Sequence, residues 1–268
     1  GKTTVMRMLV GVLLPTSGTA EVAGFDIVRQ PEEIKKRIGY MSQKFSLYGE
    51  LSVQENLDFF ADLYLVSEEE KAERQKRLLQ FSKLGPFVDR QARYLSGGMK
   101  QKLGLSCALI HTPEILFLDE PTTGVDPVSR RELWEIVYDL LEENVTVFVS
   151  TPYMDEAERC SRVGFIHRGK ILALDDPKRL KAASGREVFE VKVKNPRRWR
   201  QSLEGLSGLL ELEIFGDKLH LSFTKGEMEE KVLGELLTRK GAEADSVRRV
   251  IPSLEDLFIS LVKSQPIG

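Results

Sequence analysis

The sequence predicts a large α/β domain followed by a small α+β domain. Up to about Asp176, short apolar runs that end in turn residues alternate with helical patterns, which is typical of an α/β sheet. From residue 186 onward, the patterns follow the order strand, helix, strand, strand, helix, strand, which is the ferredoxin-like order. We therefore expect the first domain to span residues 1–180 and the second to span residues 186–268.

A helical subdomain interrupts the predicted sheet of the first domain. Residues 53–65 have the apolar spacing of a helix, and residues 67–84 form a second, more charged helical pattern. Ser67 and Glu70 predict a capping box at the start of the second helix, and a Gly-Pro pair stops it.

The C-terminal third of the chain predicts paired strands. Residues 163–167 and 170–174 form a hairpin around an Arg-Gly turn, and Ser253 with Asp256 caps a final helix. Between them, apolar residues alternate with polar ones, as in half-buried strands. The positions expected to face inward are Phe189, Val191, Val193, Leu210, Leu212, Ile214, Leu219, Leu221 and Phe223.

Composition limits the classes of function. The chain has 268 residues, 41% apolar and 30% charged, which is globular composition. Its 39 Lys+Arg and 41 Asp+Glu give a net charge of −2, which argues against a polyanion-binding surface, so no nucleic-acid partner is expected. No apolar run approaches the roughly 18 residues that a membrane-spanning helix requires.

The first four residues, Gly1-Lys2-Thr3-Thr4, match the end of the phosphate-binding pattern G-x-x-x-x-G-K-[ST]. In such a loop, backbone N–H groups at a helix N-terminus cradle phosphates, the lysine reaches the terminal phosphates, and the Thr3 hydroxyl can bind Mg²⁺. A solvated turn is the alternative. The motif requires a helix after it, and apolar residues recur at helical spacing at Val5, Met8, Leu9 and Val12.

A second acidic motif ends a predicted strand. The apolar run from Ile115 to Leu118 delivers Asp119 where its carboxylate can hold Mg²⁺, directly or through water. Glu120 follows it and is placed to polarise an attacking water. An ordinary buried strand that ends in solvated acids fits this run equally well.

The heptapeptide Leu95-Ser96-Gly97-Gly98-Met99-Lys100-Gln101 opens a predicted helix with backbone donors free to meet a phosphate. It resembles the signature sequence of ABC ATPases, whose fold is a P-loop NTPase core with a helical subdomain. Other segments are similar to that family's motifs, in its order, over residues 1–175. They are Gly1 to Thr4 (Walker A), Gln43 in Tyr40-Met41-Ser42-Gln43 (Q-loop), Ile115 to Glu120 (Walker B) and Gly124-Val125-Asp126-Pro127 (D-loop).

The resemblance implies an ATPase coupled to transport, with ATP and Mg²⁺ bound between two head-to-tail nucleotide-binding domains. Glu120 acts on water, and Gln43 senses the metal. Signature residues reach the γ-phosphate held by the opposite domain. The implied nucleotide-binding residues are Gly1, Lys2, Thr3, Thr4, Ser96, Gly97, Gly98 and Asp126, and the implied metal-binding residues are Thr3, Gln43 and Asp119.

The implied partners are a second nucleotide-binding domain, identical or not, and a transmembrane permease. The helical subdomain and residues 45–51 would transmit the closure of the dimer to the permease. The chain would then lie on the cytoplasmic face of the membrane. The segments from Tyr153 to Cys160 and from Pro252 to Phe258 resemble exporter-type subunits of drug, sodium and subfamily A lipid exporters. By analogy, the small domain serves regulation or dimer contact.

Two features depart from the family pattern. The chain opens on Gly1, so we expect the opening strands, the adenine-stacking aromatic residue and most of the Walker A loop to be missing. Pro152 stands where the family carries a histidine that contacts the γ-phosphate, and proline has no side-chain donor. Slow hydrolysis, or a non-hydrolysing half of a tandem ATPase, is therefore the alternative function. A DNA-repair ATPase is disfavoured because no coiled coil separates the motifs.

Overall fold

A computed structural model describes residues 1–43, 47–203, 205–240 and 244–264 of the chain. The chain divides into two compact units, Gly1–Pro152 and Tyr153–Gly268. Within the described ranges, no helix combines the length and the apolar composition needed to cross a bilayer. The expected permease-coupling segment, residues 45–51, falls partly outside the described residues, because residues 44–46 are not among them.

The first unit combines a parallel sheet with helices and a short antiparallel pair. Its elements are α1 (Lys2–Leu9), β1 (Glu21–Val22), β2 (Phe25–Asp26), α2 (Pro31–Lys35), β3 (Ile38–Met41), α3 (Val53–Leu63), α4 (Glu68–Ser82), α5 (Gly97–Leu109), β4 (Ile115–Asp119), α6 (Pro127–Glu142) and β5 (Thr146–Ser150), with 3₁₀ helices at Gly85–Phe87 and Ala92–Tyr94.

The parallel sheet has the order β3-β4-β5. Ile115 of β4 pairs with Ile38 of β3 and with Thr146 of β5, so the three parallel strands start at the same level of the sheet. Leu116 and Leu118 of β4 are completely buried. Because the strands are parallel, their carboxyl ends lie at one edge of the sheet, where ligands of open α/β sheets bind.

Helix α1 confirms the helix predicted after the phosphate motif, although the helix does not reach Val12, the last of the apolar positions at helical spacing. Val5 and Val12 are 37% and 63% exposed, whereas Met6 is 1% exposed. The helix ends at Leu9, and Gly11 then turns the chain with a φ of 70°. Because the helix is short, Val12 lies beyond it and cannot continue its apolar face.

The helical subdomain confirms the two predicted helices with slightly shorter bounds. Ser67 caps α4 by accepting the Glu70 N–H at 3.3 Å. The Glu70 carboxylate accepts from the Ser67 hydroxyl at 3.1 Å, rather than from the Ser67 backbone as a capping box requires. Lys83 ends α4 in the left-handed conformation, just before the Gly-Pro pair.

The second unit contains the predicted ferredoxin-like order. Its elements are α7 (Met154–Ala157), β6 (Val163–His167), β7 (Lys170–Asp175), α8 (Pro177–Ala183), β8 (Arg186–Val193), α9 (Pro196–Leu203), β9 (Leu209–Phe215), β10 (Lys218–Thr224), α10 (Glu230–Arg239), β11 (Ala244–Val250) and α11 (Leu254–Lys263).

The antiparallel sheet of the second unit has the order β11-β8-β10-β9. The alternation predicted from the sequence is observed at eight of the nine positions, which lie in or against the buried cluster. The prediction is wrong for Leu210, which is 51% exposed, while Leu209 packs against the cluster. The reason is a register irregularity in the β9–β10 pairing, which places Leu209 rather than Leu210 opposite Phe223. The predicted hairpin is also present, as β6 paired with β7. Ser253 and Asp256 form the predicted capping box at the start of α11.

The division between the units differs from the predicted boundary between residues 180 and 186. The structure groups the hairpin and α8 with the second unit. The physical reason is a shared apolar cluster, in which Val163 and Phe165 of the hairpin and Leu180 of α8 pack with Leu254 and Leu257 of α11. The sequence pattern did not indicate this long-range packing.

Candidate nucleotide-binding site

Three of the predicted site residues meet beyond the carboxyl edge of the parallel sheet. Gln43 donates from Nε2 to Oε2 of Glu120 at 2.8 Å, and Nζ of Lys2 lies 3.8 Å from Oε1 of Glu120. Thr123 donates from its hydroxyl to the same Oε2 at 3.3 Å. A cation, an amide and a hydroxyl therefore surround one carboxylate.

Asp119 ends β4 and is completely buried. Among the described residues, neither of its carboxylate oxygens has a hydrogen-bond partner. A buried carboxylate without a partner is strongly unfavourable, and Mg²⁺ is commonly held by one carboxylate together with water and phosphate oxygens. The Mg²⁺ that the family resemblance implies fits this carboxylate.

The Tyr40 hydroxyl lies close enough to Asp119 for the charge of that carboxylate to act on it. Burial raises the pKa of the Tyr40 hydroxyl, the charge of Asp119 raises it further, and Arg7 opposes the shift. Tyr40 lies on β3, in the sheet that also carries Asp119. A cation bound at Asp119 would reduce this negative potential.

Glu120 has a backbone conformation that is uncommon for a residue with a side chain. Its φ is 52°, in the left-handed region. Two backbone hydrogen bonds hold it there: Glu120 N donates to Ser150 O at 2.8 Å, and Thr123 N donates to Glu120 O at 3.2 Å. Such conformations persist where the surroundings fix them, and they cluster at functional sites.

The predicted phosphate-binding residues lie at the N-terminus of α1. Gly1 is the N-cap, and its carbonyl accepts from Val5 N at 3.0 Å. The N–H groups of the first helical turn have no partner within the helix and carry the positive end of the helix dipole. Lys2 and Thr3 are half-buried, and Thr4 is exposed. This end of α1 has the chemistry to bind phosphate.

The predicted signature residues open α5. Ser96 is the N-cap and accepts from Met99 N at 3.3 Å. Ser96 and Gly97 are both exposed at the start of α5. Gly98 is instead buried: a Cβ atom there would overlap Oγ and Cβ of Ser129. The second glycine therefore permits a close approach of α5 and α6.

Asp126, a predicted nucleotide-binding residue, caps α6. Its Oδ1 accepts from the backbone N–H of Val128 and of Ser129, each at 3.0 Å. Hydrogen bonds from the Ser129 side chain and then from these backbone groups lower the pKa of Asp126. Its carboxylate is thus engaged in capping, and its nucleotide contact remains a prediction.

Pro152 follows β5 and is exposed. His111 does not substitute for the missing histidine, because its ring stacks on Tyr64 at 3.7 Å and its Nε2 lies 3.0 Å from Ile38 O. Ile38 begins β3, at the opposite edge of the sheet from the carboxyl end of β4. His167 and His220 belong to the second unit.

Sequence reasoning missed three residues near the predicted site. Thr123 bonds Glu120, Ser129 packs on Gly98, and Ser150 is the register partner of Asp119. A run of two threonines after the Walker B acids was a local signal for Thr123. Ser129 and Ser150 had no local signal, because their proximity depends on which helices and strands pack together.

Two family models match the chain. One is described as "ABC transporter" and matches residues 1–123, and the other is described as "ATP-binding protein DrrA1-3-like, C-terminal domain" and matches residues 176–262.

Individual proteins are also similar. The chain is 41% identical over 264 residues to the probable multidrug ABC transporter ATP-binding protein YbhF of Escherichia coli (strain K12), covering 98% of this chain but 45% of that relative. It is 33% identical to the daunorubicin resistance ATP-binding protein DrrA3 of Streptomyces coeruleorubidus, covering 97% of this chain and 83% of that relative. A solved structure of an ATP-binding subunit of an ABC transporter superposes with a TM-score of 0.63 and 28% identity, over 69% of this chain and 78% of the other.

Proposed function

Because the chain belongs to the ABC transporter family, as an ATP-binding protein with a DrrA-like C-terminal domain, we propose that it binds and hydrolyses Mg-ATP to drive export. The observation that carries the proposal is the buried Asp119 carboxylate without a partner, next to the cluster of Lys2, Gln43 and Glu120. The chain spans less than half the length of YbhF, so the activity of the whole protein is part of the proposal.

Each side chain has a distinct role in this function. Lys2 and the first turn of α1 bind the terminal phosphates, and Thr3 and Asp119 hold Mg²⁺. The bound Mg²⁺ neutralises charge on the phosphate oxygens. Glu120 orients the attacking water and accepts its proton, while Gln43 and Thr123 fix the Glu120 carboxylate.

A second nucleotide-binding domain completes the site. Ser96 and Gly97 are exposed, and their backbone donors bind a phosphate held by the opposite domain. Asp126 positions the start of α6 beside this turn. The dimer is head-to-tail, with an identical or a different partner, and the small C-terminal domain serves regulation or dimer contact.

A transmembrane permease, separate or fused, is the other partner, and the chain lies against it on the cytoplasmic face of the membrane. The names of the similar proteins, which include a multidrug transporter protein and a daunorubicin resistance protein, support export as the direction of transport. The permease selects the exported compound.

Lys2→Ala tests nucleotide binding in the full-length protein. We expect binding of a fluorescent ATP analogue with Mg²⁺ to weaken about ten- to hundredfold, because a hydrogen-bonded charge is lost from the phosphates. Lys36→Ala is the matched control, since Lys36 is exposed and pairs with Glu33 on the surface. Equal affinity of the Lys2 and Lys36 variants would contradict the proposal.

The alternative function is a nucleotide-binding half that hydrolyses slowly or not at all. Pro152 favours it, because the proline offers no donor beyond the end of β5. The two candidate functions share ATP binding and differ in turnover at Glu120.

Pro152→His is expected to raise the single-turnover hydrolysis rate of the full-length dimer about tenfold or more, because an imidazole restores a donor to the γ-phosphate. Pro152 is exposed, so the larger side chain has room. Pro152→Ala is the control: it removes the proline ring without adding an imidazole, so a rate increase seen only in Pro152→His is due to the imidazole. A fast parental rate that ignores the substitution would rule out both slow hydrolysis and the alternative function.

A further inference from the structure

A second polar group without a partner lies beside Asp119. Ser150 ends β5, is 5% exposed, and its hydroxyl has no hydrogen-bond partner in the described part of the chain. Ser150 is the register partner of Asp119 across β4 and β5, so both side chains lie on one face of the sheet. The ring contact between Phe117 and Phe148, register partners two residues earlier on that face, agrees with this placement.

Within the residues that the structure describes, no hydrogen bond gives the Ser150 hydroxyl a role in holding the fold. A valine would suit a buried strand better and would leave no polar group unsatisfied. The same residue already fixes Glu120, because the Ser150 carbonyl accepts the Glu120 N–H at 2.8 Å. Its backbone and side chain are therefore placed to act on the two neighbouring acids.

Since Mg²⁺ in phosphate sites usually keeps several of its waters, groups beside the carboxylate meet water rather than the ion. We propose that the Ser150 hydroxyl accepts a hydrogen bond from a water bound to Mg²⁺ at Asp119, which makes Ser150 a positioning residue of the metal site. The inference rests on the proposed function, because it presupposes Mg-ATP at Asp119. Ser150 thereby supplies a hydrogen-bonding group to the metal site from β5. Pro152, which stands where the family carries a histidine, follows the same strand.

The test uses an isosteric pair of substitutions in the full-length protein. Ser150→Thr keeps the hydroxyl, and Ser150→Val introduces a side chain of the same shape as threonine but without the hydroxyl. The readout is the Mg²⁺ concentration that gives half-maximal binding of a fluorescent ATP analogue. Ser150→Val is expected to raise it about ten- to hundredfold, while Ser150→Thr stays within about threefold of the parent.

Two further measurements separate positioning from a structural role. Binding of the analogue in EDTA is expected to be the same for parent and Ser150→Val, and the urea midpoint in EDTA is expected to stay equal or rise, because an unsatisfied hydroxyl is removed. A structural role predicts a lower midpoint. Ser222→Ala, at a serine of β10 that is also 5% exposed, controls for removal of a strand hydroxyl.

Asp119→Asn distinguishes failure of the inference from failure of the function. If Asp119→Asn raises the metal requirement and Ser150→Val does not, the role of Ser150 is overturned and the function stands. If the parent protein binds no ATP analogue at any Mg²⁺ concentration, both are overturned.

Discussion

Glu120→Gln is expected to slow single-turnover ATP hydrolysis by the full-length protein about 10²–10⁴-fold, while Mg-dependent ATP binding changes little. Glutamine has the shape of glutamate but cannot accept a proton from water. Its amide oxygen can still accept from Gln43 and Thr123, which now bond Oε2 of Glu120 at 2.8 and 3.3 Å. These two hydrogen bonds are therefore kept, while the proton acceptor and the negative charge facing Nζ of Lys2 are lost.

Glu114→Gln is the matched control for this prediction. Glu114 directly precedes β4, as Glu120 directly follows it, and its carboxylate is 65% exposed. The control removes the same charge at the other end of the strand, and we expect it to leave both rate and binding unchanged. A hydrolysis rate that is the same for Glu120→Gln and the parent would contradict turnover at Glu120 and favour the non-hydrolysing half.

Gly98→Ala is expected to destabilise the first unit by about 1–3 kcal/mol and to displace the start of α5. A Cβ at this position would overlap Cβ of Ser129. Rotation of the Ser129 hydroxyl cannot relieve that contact, because a Cβ atom moves only with its backbone. The first turns of α5 and α6 must separate instead. Urea denaturation followed by fluorescence of Trp134, in a Trp199→Phe background, reports on this unit.

Gly104→Ala is a control in the same helix, and it is expected to raise the free energy of unfolding rather than lower it. The nearest atom to its Cβ would be Cε of Met41 at 3.9 Å, so alanine fits and stabilises the helix by about 1 kcal/mol. Ser129→Gly combined with Gly98→Ala removes the clash and is expected to recover part of the lost stability. Equal stability of Gly98→Ala and Gly104→Ala would contradict this packing of α5 on α6.

The sequence predicted features that are encoded locally. Ser253 and Asp256 lie three residues apart in the chain, so the capping box of α11 depended on neighbours alone. The alternation through Phe189 and Val191 predicted which face of β8 is buried, because side chains alternate along a strand. The local pattern predicted helix α1 but not its end, because the chain turns at Gly11 before Val12.

The sequence by itself determined the family, the order of the motifs and the candidate residues from Gly1 to Asp126. It could do so because a phosphate-binding loop or an acidic strand end consists of residues that are adjacent in the chain. The tertiary structure decided which of these residues meet and which further residues join them. It joined Gln43 and Thr123 to Glu120, set Ser150 beside Asp119, and packed Gly98 on Ser129. The physical reason is that strand register and helix packing are fixed by the whole buried interior. Residues far apart in the chain become neighbours only when that interior forms.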